Sequence, residues 1–168
     1  MSYRTDILDR LVAMEHEALD TYVASVLPGR TGIDAVPQLF YQQASTPYIV
    51  HRVGPSAPAQ LAEDFSLRTY EVFIRVVVGH LTANYQGENE ELSDEIIPLL
   101  EDYLFKHEML TTDSGAFHTE PTYLFPEEGI AIGDTSGIIS FQLGGINSFH
   151  VGEELGLTVQ VIRTRESS

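Results

Sequence analysis

Between residues 4 and 26 the apolar side chains Leu8, Leu11, Val12, Leu19, Tyr22, Val23 and Val26 return at spacings of three and four. That repeat traces one face of an α-helix and predicts an amphipathic helix ending at Leu27-Pro28-Gly29, where proline and glycine break it. Glu15 falls inside the apolar stripe, where a carboxylate needs a partner or a route to water. Three readings stay open for it: a solvated edge or internal ion pair, a contact with an arginine of another subunit, or a chemical role.

The period then shortens to two. Gln38 to Gln42 and Tyr48 to Val53 are short strand candidates, and Gly54-Pro55-Ser56-Ala57-Pro58-Ala59 opens a flexible loop expected over 54–64. Residues 67–78, LRTYEVFIRVVV, form the strongest strand signal, rich in β-branched and aromatic residues. Tyr70, Val72, Ile74, Val76 and Val78 would face the core. Thr69, Glu71, Phe73, Arg75 and Val77 would make a mixed face that is solvated, paired or an interface.

A second helix is expected from about Glu90 to His107, with Asn89 as its N-cap and Glu90 and Glu91 complementing the positive helix start. Leu92, Ile96, Leu99, Leu100, Tyr103 and Leu104 form its stripe, and Pro98 lies opposite, on the side where a proline bends a helix toward solvent. Gly137 to Leu143 and Leu157 to Arg165 read as strands, separated by a flexible loop over 144–156 that contains Phe149. Residues 166–168 read as a frayed tail. The order predicts a single α+β domain over 1–168: a mainly antiparallel sheet with the N-terminal helix and a proline-bent acidic helix on one face.

Charge sharpens this picture. Across 168 residues, 25 acids oppose nine Lys and Arg, a net charge of −16. Phosphate-driven binding of nucleic acid is disfavoured, because it needs clustered cations. Eight acids and only Lys106 lie between Glu88 and Glu108, so nearly half of the net charge sits in the second helix segment. This is either a solvated outer face or a surface turned toward a partner. No cysteine is present, which removes disulfides and thiolate chemistry. No apolar run approaches the roughly 18 residues of a membrane span, so no membrane partner is expected. The reading is of a soluble protein.

Motif chemistry is sparse. Phosphate-binding loops, dinucleotide fingerprints and a nucleophile elbow are missing. His118 with Glu120, or His150 with Glu153, could ligate a metal, but two residues do not make a site. Asp113-Ser114-Gly115-Ala116 resembles the signature of dimeric aspartic proteases, although Asp-Ser-Gly is equally a turn sequence. A small hydrolase, protease-like or metal-dependent, is therefore the alternative class.

The helix Arg4 to Val26, the strand Leu67 to Val78, the segment Glu95-Ile96-Ile97-Pro98-Leu99-Leu100 and the end strand Leu157 to Arg165 together resemble the tail terminator proteins of long-tailed bacteriophages. The resemblance implies a non-enzymatic virion protein without cofactors, assembled in the host cytoplasm as a homohexameric ring at the neck end of the tail. Its partners would be its own copies, the tail tube protein and the head-tail connector; another neck or tail-completion role is the near alternative. A ring is a closed heterologous assembly, so unlike faces must meet. The residues expected at such contacts are Glu15, Arg30, Arg52, Glu71, Phe73, Arg75, Glu90, Glu91, Asp94, Glu101, Phe149 and Arg163.

Overall fold

The computed structural model describes residues 3–38, 46–62, 65–80, 86–107, 110, 122–124, 139–142 and 149–164. Helix α1 (Tyr3–Val26) is followed by β1 (Asp34–Ala35), β2 (Tyr48–Ala62), β3 (Phe65–His80), α2 (Gln86–Phe105), β4 (Thr122–Leu124), β5 (Ile139–Gln142) and β6 (Phe149–Thr164). The strands form one sheet in the order β1-β2-β3-β6-β4, with β5 also paired to β6. Among the described residues only the short β1–β2 pair is parallel. The chain is thus an α+β fold with the N-terminal helix and the acidic helix on one face of a mainly antiparallel sheet.

The core lies between sheet and helices. Ile7, Leu11, Met14, Leu19 and Val23 of α1 and Ile96, Leu100 and Leu104 of α2 pack on the expected face of β3, Tyr70 through Val78, and on Leu155, Leu157, Val159 and Val161 of β6. Each fully buried aliphatic side chain of this kind contributes about 1.5–3 kcal/mol. On α1 the buried stripe is centred on Ile7, Leu11 and Met14, a little around the helix from Leu8 and Val12, while Val26 is 43% exposed. Pro98 lies inside α2 and is exposed, the position at which its missing N–H disturbs packing least.

Two expected loops are strands. The segment predicted as the 54–64 loop continues β2 through Ala62, antiparallel to β3, although it holds Pro55 and Pro58. The reason is its place in the sheet: among the described residues β1 covers only the start of β2, and prolines are tolerated along an edge and at irregularities. The register shifts between Val53 and Ser56, around Pro55. Likewise, the predicted 144–156 loop is strand from Phe149 onward. Gly152 and Gly156 look like loop residues but answer to close neighbours. A Cβ on Gly152 would stand 1.9 Å from the Val76 carbonyl oxygen, beside the irregularity between Val77 and Gly79. The Gln38–Gln42 strand candidate lies mostly outside the described residues; the β1 segment at Asp34–Ala35 carried too few residues to show a period.

Candidate functional site

The second face of β3 is organised by alternation. Register places Arg52 of β2 opposite Phe73, and Phe73 opposite Gly156 of β6; one step along, Val50, Arg75 and Glu154 stand in a row. Gly54 and Gly156 leave room for the Phe73 ring, since a Cβ on either would lie 3.1 or 3.3 Å from it. The Arg52 guanidinium covers the ring at 3.9 Å from its centroid, a cation–π contact of about 0.5–1 kcal/mol at a partly exposed site. Glu154 takes one arginine on each oxygen: Arg52 Nη2 at 3.1 Å, and Arg75 through Nε at 3.2 Å and Nη2 at 2.9 Å. Thus Arg52, Phe73 and Arg75 do come together, with Glu71 exposed beside them. Their charge is already answered by Glu154, a residue of the segment expected to be a loop and found in β6. Tyr48, Val50 and Val77 close the inner end of this face, and burial pushes the Tyr48 hydroxyl up to about 12 against the pull of Arg75.

Glu15 does not reach the surface. Its carboxylate bonds Nε2 of His51, with one oxygen at 3.0 Å and the other closer, and both side chains are fully buried. His51 Nδ1 donates to the Val36 carbonyl at 2.7 Å. Burial works against a charged imidazole, but the Glu15 charge, the bond to it and the Val36 carbonyl prevail and raise the His51 pKa above 6.5. Alternation places His51 on the Ile49 face of its strand, toward α1, so the pairing had a sequence signal in the period of β2. Arg30 is also spent internally, on the carbonyls of Thr46, Gly32 and Pro47 and on Asp34 at 3.5 Å.

The acids of α2 have a different status. Glu91 and Asp94 are exposed, and Glu101 is half-buried. Burial first, then the neighbouring Asp102 charge, raises the pKa of Glu101; burial, with Asp94 and Glu101 nearby, does the same for Glu153 of β6. The carboxylates crowd one another. Glu90 lies in α2, and Phe149 and Arg163 in β6, but their side chains are outside the described residues, as are Asp113, His118 and Glu120.

One cationic feature was missed by sequence reasoning. Arg10, Arg30, Arg52 and Arg75 each have a carboxylate within 3.5 Å. Arg4 and Arg68 instead converge on the hydroxyl of Ser56, at 3.4 and 2.9 Å. Among the described residues neither has an acid partner. Arg4 also lies over the Tyr70 ring, 5.4 Å from its centroid. The composition around Ser56 predicts a loop, so nothing in the sequence brings these two arginines together.

The two charged features occupy opposite ends of the helix pair. Tyr22 donates to Glu95, Tyr103 to Glu17, and Arg10 to the Leu110 carbonyl at 3.1 Å, so α2 runs antiparallel to α1. Burial and Glu95 push the Tyr22 hydroxyl up to about 12. The start of α2, with Glu91 and Asp94, therefore sits beside the last turns of α1. Arg4 sits in its first turn, about 27 Å away at 1.5 Å per residue from Arg4 to Tyr22.

Among the described residues no group of three His, Asp or Glu is placed to hold a metal, and no helix is long and apolar enough to cross a membrane. No protein-family model and no curated protein matches the chain.

Proposed function

We propose that the chain is a non-enzymatic ring subunit, a phage tail terminator that caps the tail tube and joins it to the head connector. The observation that carries this reading is a pair of unlike surfaces: Arg4 and Arg68, which meet at Ser56 with no acid partner among the described residues, and the exposed Glu91 and Asp94 at the far end of α1. A head-to-tail ring needs two unlike surfaces on each copy, and on a strongly acidic protein exposed cations are where a neighbour's carboxylates meet attraction rather than repulsion. The order of elements, which resembles that of tail terminators, is what suggests this particular ring.

The test is light scattering and electron microscopy of the purified chain, alone and with tail tube protein. The expected result is a closed hexamer, formed alone or on the tube end, and tubes of arrested length. A chain that stays monomeric at high concentration and leaves tube growth unaltered overturns the reading.

A further inference from the structure

We propose that Arg4, Arg68 and Ser56 form a socket for the carboxylates of Glu91 and Asp94 of a second copy of this chain, and that this contact closes the ring. The inference rests on the ring reading and names the surfaces that meet.

The socket is built from three elements. Arg4 comes from the first turn of α1, Arg68 from β3 and Ser56 from β2, where Ser56 pairs with Tyr70 and Arg68 with Pro58. Two guanidinium groups on one neutral oxygen repel each other, an arrangement that costs folding energy unless something negative completes it. Ser56 accepts from both arginines, which leaves its own O–H to donate to an incoming oxygen. Tyr70, 4% exposed, gives the Arg4 guanidinium a face to rest on. The N-terminal turn of α1 adds its positive dipole end beside Arg4. Two guanidiniums and a hydroxyl match the two oxygens of a carboxylate.

The occupant is chosen by charge. With 25 acids on the chain, carboxylates are the abundant complement. Glu91 and Asp94 are exposed, lie one turn apart, and have no cation partner among the described residues. They stand at the far end of α1 from the socket, so no copy fills its own socket; a second copy does, head to tail in the ring or reciprocally in a two-fold dimer. The mass from light scattering separates a hexamer, which keeps the ring contact, from a dimer, which overturns it. Arg52 and Arg75 are poorer hosts, because Glu154 already holds them.

The experiment uses four full-length variants: Arg68→Glu, Arg4→Ala, Asp94→Arg, and the double variant Arg68→Glu with Asp94→Arg. Self-association is measured by light scattering at low and high salt, and folding by circular dichroism and thermal melting. Each single variant is expected to weaken assembly by about tenfold or more at low salt. Melting of Arg4→Ala should be no lower than wild type, because repulsion is relieved. The double variant restores assembly, since every contact then carries the swapped pair. If the wild type forms the ring and all three single variants assemble equally well, the socket is wrong and the ring reading stands. If the wild type never assembles, the ring reading fails first. A fluorescent DNA duplex and inorganic phosphate serve as competing probes; binding of either that Arg68→Glu abolishes, with assembly unchanged, overturns the carboxylate assignment in favour of phosphate.

Discussion

Replacing Glu15 separates a buried ion pair from an ordinary buried hydrogen bond. In Glu15→Gln the shape is kept, and neutral His51 can still donate from Nδ1 to Val36 while its Nε2 accepts from the new amide. Every polar atom keeps a partner, so the loss above neutral pH should stay within about 1 kcal/mol. Glu15→Ala strips that partner and opens a cavity beside Leu11 and Leu19; removing one member of a buried pair costs about 3–5 kcal/mol. Against a total stability of about 5–15 kcal/mol, this lowers the melting temperature by about 6–20 °C for a domain of this size. The pH dependence is the sharper readout. The folded-state pKa of His51 lies above its unfolded value of 6.5, so the folded wild type holds the proton more tightly. The pair's contribution is complete below 6.5 and is lost as pH rises through the folded-state value. Urea denaturation at a series of pH values should therefore show the wild type gaining on Glu15→Gln as the solution is acidified toward 6. A difference independent of pH, or a loss under about 1 kcal/mol in Glu15→Ala, would refute the charged pair.

Other perturbations follow from single contacts. Gly152→Ala drives a methyl into the Val76 carbonyl, a backbone neighbour that cannot step aside, and should cost about 3 kcal/mol or more by denaturant titration. Pro98→Ala restores a helix hydrogen bond at an exposed position and should raise stability by about 1–3 kcal/mol; no gain would mean that α2 depends on the irregularity. Glu154→Gln leaves Arg52 and Arg75 without their shared charge; because Glu154 and Arg75 are only 15% and 19% exposed, the loss should reach about 1.5–3 kcal/mol, the range for hydrogen bonds to a charged group, as read by denaturant titration.

Long periodic elements were legible from the residues. α1, β3 and α2 show most of their buried faces in the sequence because each is amphipathic against a single partner layer, although Leu99, expected in the α2 stripe, is 38% exposed and Ile97 is buried. β2 and β6 are legible only in part, because proline and glycine report local preference, whereas their meaning here is set by neighbours: an edge that is open among the described residues beside Pro55 and Pro58, and the Phe73 ring against Gly54 and Gly156. The same limit applied to the site. Glu15 stood out as a charge in an apolar stripe, but its partner His51 lies 36 positions away. Arg4 and Arg68 carry no local pattern at all; only the continuation of β2 through Ser56 brings them together.

The sixteen-residue strand β6 has a kinetic consequence. It pairs with β3 along nearly its full length and carries β4 and β5 on its other side, so the centre of the sheet joins segments about eighty positions apart. Such distant pairing must wait on loop closure, which places folding among slower, topology-limited domains, in milliseconds to seconds. Until β6 docks, the backbone of β3 is an open template and the helices lack half of the floor they cover. Completion of the sheet is therefore the natural commitment step in the life of the chain: a copy that has not inserted β6 has neither a finished core nor a rigid frame on which to hold two charged ends apart.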